Sequence, residues 1–80
     1  MKVNGWSNYQ TFLVSLWYGE WFANMKKEEI TADNFNNIVI ESLVMEGHLP
    51  ENGFAADIML EAIKQVNWQE LADRYTDVFN

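Results

Sequence analysis

The stretch SNYQTFLVSLWYGEWFANMKK, Ser7 to Lys27, decides the fold. Tyr9, Phe12, Leu13, Leu16, Trp17 and Trp21 recur in it at helical spacing. Val14, Tyr18, Phe22 and Met25 widen that stripe to a second face. A helix apolar on two faces is expected at the centre of a bundle, packed from both sides. The pattern predicts a helix over about 8–27. Its start carries its own signal. Ser7-Asn8-Tyr9-Gln10 matches the capping box, in which Ser7 accepts from the Gln10 amide and Gln10 reaches back to the Ser7 amide. Trp6, just before that cap, is placed to staple against Thr11 or Phe12, and Gly5 lets the chain turn sharply into it.

Working outward, three more helices follow and no strand. Thr31 is a good N-cap for the second, with Asp33 favourable in its first turn. Ala32, Phe35, Ile38, Val39 and Leu43 are its apolar positions, with Ile40 and Val44 as further candidates. Gly47 ends it, and Pro50 lies three residues beyond. The segment Gly47 to Gly53 reads as a loop. A third helix, about 54–66, presents Phe54, Ile58, Met59, Ala62, Ile63 and Val66. Asn67 can cap the fourth, with Glu70 three residues later and Trp68, Leu71, Ala72, Tyr75, Val78 and Phe79 as its apolar stripe. The expected fold is all-α: one small domain over residues 1–80, a bundle of about four helices.

The totals agree with that picture. Eighty residues give room for one domain with a thin stability margin. With no cysteine there is no disulfide and no thiolate metal site, so the core must supply the stability. Trp6, Trp17, Trp21 and Trp68, five Phe and three Tyr supply large apolar surfaces. The start Met1-Lys2-Val3-Asn4-Gly5 lacks the apolar region of a signal peptide. The apolar run Phe12 to Tyr18 falls far short of the roughly 20 residues that span a bilayer. The expectation is a soluble, cytosolic protein.

The net charge of −7 is unevenly placed. Residues 1–40 hold Glu20, Glu28, Glu29 and Asp33 against Lys2, Lys26 and Lys27, a net of −1. Residues 41–80 hold Glu41, Glu46, Glu51, Asp57, Glu61, Glu70, Asp73 and Asp77 against Lys64 and Arg74, a net of −6. Such a surface repels nucleic acid and anionic lipid and attracts basic surfaces.

Catalytic chemistry finds little support. His48, the lone histidine, has Glu46 and Glu51 nearby, but no second His, no Cys and no H-E-x-x-H accompanies it. Just past a helix end, an imidazolium serves the negative end of the helix dipole. Ser7 and Ser15 lack a triad, and Gly5, Gly19, Gly47 and Gly53 are too scattered for a phosphate loop. Aromatics that stack nucleic-acid bases are interleaved with Lys and Arg, whereas here they recur at core spacing. No enzyme activity, cofactor or metal is expected.

The carboxylates are the more informative set. Asp57 and Glu61 are i,i+4 on the third helix, and Glu70, Asp73 and Asp77 run i, i+3, i+7 on the fourth. Like charges at that spacing repel by a few tenths of a kcal/mol, about 0.2–0.5 per pair, so the stripes do nothing for the helices themselves. Side by side they would form a row of charge like a nucleic-acid backbone. The plainer reading is a solvated face that keeps a small protein soluble.

Asn4-Gly5-Trp6-Ser7-Asn8-Tyr9-Gln10-Thr11 also resembles the start of small phage and plasmid proteins that read N-G-W-S-N-Y-E-T-W. This chain departs from them at Gln10, where they carry Glu, and at Phe12, where they carry Trp. The resemblance covers about nine residues of the chain and implies a mobile-element origin. In size and charge the chain is similar to anti-CRISPR and antirestriction inhibitors, several of which mimic DNA. The resemblance implies an anti-defence inhibitor that binds a Cas protein or complex, a host protein with a basic nucleic-acid-binding surface. Glu46, Glu51, Asp57, Glu61, Glu70, Asp73 and Asp77 are the expected contact residues, with no direct nucleic-acid or membrane contact. The other expectation is an interaction module, a homodimer or adaptor, using surplus aromatics such as Tyr18 and Phe22.

Overall fold

The computed structural model describes residues 2–77 and is an all-α bundle. The helices are α1 (Tyr9–Ala23), α2 (Ala32–Met45), α3 (Phe54–Gln65) and α4 (Trp68–Asp77), with a short 3₁₀ turn at Lys27–Glu29. Val78 and Phe79, assigned to the last apolar stripe from the sequence, lie outside the described residues. None of the described helices is long and apolar enough to cross a membrane.

The helix ends follow local chemistry. The Thr31 hydroxyl accepts from the Asn34 amide at 3.1 Å, and the Asn67 side chain accepts from the Glu70 amide at 3.0 Å. At the end of α2, Gly47 stands at φ +75°. Its amide donates to the Val44 carbonyl at 3.1 Å and the His48 amide to the Leu43 carbonyl at 2.9 Å, a Schellman ending. α1 stops at Ala23, short of the expected end near residue 27 and two residues before Met25. Asn24 ends it: its amide donates to the Trp21 carbonyl at 3.1 Å and its side chain to the Glu20 carbonyl at 2.8 Å. Met25, beyond that stop, still packs on the core.

The N-terminal segment corrects the expected capping box. Asn8, not Ser7, caps α1: its side-chain oxygen accepts from the Thr11 amide at 2.8 Å and the Thr11 hydroxyl at 2.7 Å. Ser7 is taken elsewhere, because its amide and hydroxyl donate to Glu70 at 3.2 and 2.8 Å. Trp6 is partly buried against the core. The Arg74 guanidinium lies 4.0 Å over its ring. Asn4 and Gly5, at φ +50° and +88°, form a two-residue reversal, and Val3 and Trp6 exchange backbone hydrogen bonds of 2.7 and 2.9 Å across it. Asn-Gly suits this turn because both positions require positive φ.

Gly5, Asn8 and Thr11 tie the start of α1 to α4 and the corner between α3 and α4. Arg74 donates to the Gly5 carbonyl. The Asn8 side chain donates to the Gln65 carbonyl at 2.7 Å, and the Asn67 amide donates to the Thr11 hydroxyl at 2.8 Å. Thr11 is fully buried. A helix start alone left Asn4 and Asn8 without a purpose; the turn and the tie to the corner supply one.

The core is aromatic. Phe22 of α1 and Phe35 of α2 stack with ring centroids 3.8 Å apart, and Tyr75 of α4 meets both edge-on at 5.6 and 5.9 Å. Val14, Ile30, Val39, Val66, Leu71 and Ala72 complete it. α4 can lie close to α1 because Gly19 has no side chain: a Cβ there would stand 2.8 Å from the Tyr75 hydroxyl.

The expected burial of α1 on both faces is not met. α4 packs on α2 and α1, whereas α3 packs chiefly on α1. One flank of α1 therefore stays open, and Tyr9, Leu16, Trp17 and Trp21 face solvent.

Candidate protein-binding surface

Trp17 and Trp21 of that flank stand in one wall of a groove. Gln10, Leu13, Val14, Trp17, Tyr18 and Trp21 line it from α1; Val39, Ser42 and Leu43 from α2; Met59, Ala62 and Ile63 from α3. Glu46 and His48 stand in the lining where α2 ends, and the groove has a volume of about 600 Å³. Trp17 is 78% exposed, although a tryptophan is among the largest apolar surfaces a chain can enclose. Further apolar side chains at element ends are as open, Met45 at 86% and Phe54 at 76%. Exposed apolar surface collected along a groove is the kind of surface on which recognition is built.

Of the two aromatics the sequence suggested, Tyr18 lines the groove and Phe22 does not. Phe22 is fully buried in the ring stack. Tyr18 is half-buried and its hydroxyl donates to the Ser42 hydroxyl at 3.4 Å. Trp17 and Trp21 take the exposed role instead. Periodicity could not separate these positions, since all lie on a helix with apolar residues on most of its sides.

The seven expected carboxylates divide into groups. Asp57 in the first turn of α3, Asp77 at the end of α4 and Glu51 in the loop are exposed. Asp73 is exposed and accepts from the Gln69 side chain at 2.9 Å. Glu61 lies 3.9 Å from Lys64, an exposed pair worth little to stability. Glu46 lies 3.6 Å from the His48 imidazole, beside the groove. Glu70 is different. It is occupied by Ser7 and by Arg74 at 3.5 Å, and its side chain is only 18% exposed. It belongs to the N-terminal tie more than to a free acidic stripe. α3, which carries Asp57 and Glu61, and α4, which carries Glu70, Asp73 and Asp77, have different main packing partners, α1 and α2.

No family model, curated protein or solved structure matches the chain.

Among the described residues no group of three or more His, Asp or Glu side chains could hold a metal ion. One phenol is perturbed: burial pushes the Tyr75 pKa above its ordinary value of 10.0. Its place in the ring core explains that shift without catalysis. The geometry on hand is that of an apolar trough with polar groups at its edge, a surface suited to recognition.

Proposed function

We propose that this protein is a small protein-binding module that docks its partner along the groove between α1, α2 and α3. The observation that carries the reading is Trp17, largely exposed at the side of an apolar trough. Catalysis has no part in it. The module binds with preformed helices, so little ordering entropy opposes docking.

The second reading is the acidic-surface inhibitor of a host defence protein, of the anti-CRISPR kind, acting where target DNA binds. The exposed Glu51, Asp57, Asp73 and Asp77 favour it, together with the −6 charge of the chain's second half. The resemblance to phage and plasmid proteins favours a target in bacterial defence.

Two variants separate the readings. Tagged protein is used to recover partners from bacteria carrying CRISPR-Cas and restriction systems, at about 0.1 and 0.5 M salt. If the groove is the contact, Trp17→Gln loses the partner and Asp73→Lys with Asp77→Lys keeps it. If the acidic face is the contact, the outcome reverses and high salt releases the partner. A partner kept by all variants at both salts would overturn both readings.

A further inference from the structure

α1 has 15 residues and a single charged side chain, Glu20. A helix so apolar on all sides belongs in an interior. Here Tyr9, Leu16, Trp17 and Trp21 are each more than half exposed. Val44, Met45, Phe54 and Ile58 are equally open. The total surface agrees. A folded monomer of 9.4 kDa is expected to expose about 5,000 Å², whereas this chain exposes 5548 Å². The excess of roughly 500 Å² approaches the roughly 800 Å² that each partner gives up in a standard interface.

Resting on the groove reading above, we propose that the occupant of the groove is a second copy of the chain, in a twofold dimer. Such an interface uses the same patch on both copies, so the patch must hold a ridge and a trough side by side. The face around α1 holds both. Trp17 lines the groove and is 78% exposed, so most of its side chain stands free beside the trough. Across a twofold axis the Trp17 of one copy enters the groove of the other, toward Leu43, Met59 and Ile63. The thioether of Met59 can adapt its shape to the incoming ring. Charge does not stand in the way at the contact itself. The lining holds one carboxylate, Glu46, beside His48, while Glu41, Asp57 and Glu61 lie outside it. The −7 of each copy opposes association at longer range, where salt screens it. A modest area and that repulsion set the dissociation constant in the micromolar range. Dilute protein is therefore monomeric, and stability read there is that of the single chain.

The test is analytical ultracentrifugation of the full chain from about 1 to 300 µM, a span that brackets a micromolar equilibrium. The expected result is a monomer–dimer equilibrium with no larger species. Trp17→Gln should weaken it at least tenfold, about the loss a central aromatic anchor carries, with helicity by circular dichroism unchanged. Leu60→Gln is the control, since Leu60 is 42% exposed and lies outside the groove lining. It should leave the equilibrium as it is. Raising salt from about 0.1 to 0.5 M should tighten the dimer, because repulsion between two acidic chains is screened and an apolar contact is not.

A dimer that Trp17→Gln leaves intact, or that Leu60→Gln weakens as much, places the contact off the groove and overturns the inference. A dimer that salt dissociates is built on charge and overturns it too. Species growing beyond two copies would rule out the twofold arrangement. A monomer at every concentration overturns this inference alone. Recovery of a different protein by the wild type and not by Trp17→Gln then keeps the groove reading, and recovery that ignores Trp17 removes that reading as well.

Discussion

Replacing Thr11 by Val tests the tie between α1 and the α3–α4 corner. The two side chains have the same shape, so packing is preserved and the hydroxyl alone is lost. That hydroxyl donates to Asn8 at 2.7 Å and accepts from the Asn67 amide at 2.8 Å, inside a fully buried residue. In the variant the Asn8 oxygen keeps the Thr11 amide, whereas the Asn67 amide loses its partner. A partly buried donor left unpaired costs about 1–3 kcal/mol, and the lost Asn8 bond adds about 0.5–1. The expected destabilisation is about 2–3 kcal/mol. For a chain of this size each kcal/mol moves the midpoint by about 4–8 °C, so Tm should fall by roughly 10–20 °C. Thr11→Ser is the control. It keeps the hydroxyl and loses one buried methyl, worth about 1 kcal/mol. Thermal melting followed by circular dichroism reads all three proteins. A Val variant that melts at or above the Ser variant would refute the reasoning, since the hydroxyl would then carry less than a methyl group.

Three further outcomes follow from the packing. Gly19→Ala should destabilise by about 1 kcal/mol, because crowding of the Tyr75 hydroxyl (about 1–3 kcal/mol) outweighs the helix-propensity gain of about 1; in a Tyr75→Phe background the same change should become neutral or stabilising, which a double-mutant cycle in denaturant checks. Phe22→Ala should remove about 3–5 kcal/mol, whereas Trp17→Gln should change stability by less than about 0.5, as comparison of their urea midpoints will reveal. The raised pKa of Tyr75 means that its neutral form is favoured in the folded state. Its contribution is therefore complete below the unfolded pKa, near 10, and is lost as pH rises through the higher folded value; phenolate absorbance should show one late tyrosine that Tyr75→Phe abolishes.

The helices were legible because their stop and start signals are local. Thr31, Gly47 and Asn67 act within a few residues of themselves, and each does in the structure what its residue type suggests. The first helix start was harder to read, since Ser7 and Asn8 are both good caps. What separates them is Glu70, which accepts from Ser7 across 63 positions of sequence. The Asn4-Gly5 turn carried a local signal, an Asn-Gly pair, that the reading of Gly5 as part of a cap obscured. The open flank of α1 had no local signal. Nothing in the period of an all-round apolar helix says which neighbour is missing, and Trp17 and Phe22 differ only by what α2 and α4 bring to them. The carboxylates were legible as charge and not as a surface. Glu70 looked like its neighbours Asp73 and Asp77 until Ser7 and Arg74 met it.

The tie between Ser7 and Glu70 has a consequence for how the chain is made. A ribosome releases α1 first, yet the partners that complete its start come 63 positions later. At a synthesis rate of about 5–20 residues per second that interval is roughly 3–13 s. For those seconds the nascent chain presents Trp6 without Arg74 and Phe22 without Tyr75. Contacts so distant in sequence also form slowly. The start of α1 and the ring core therefore cannot be completed until Glu70, Arg74 and Tyr75 have been made.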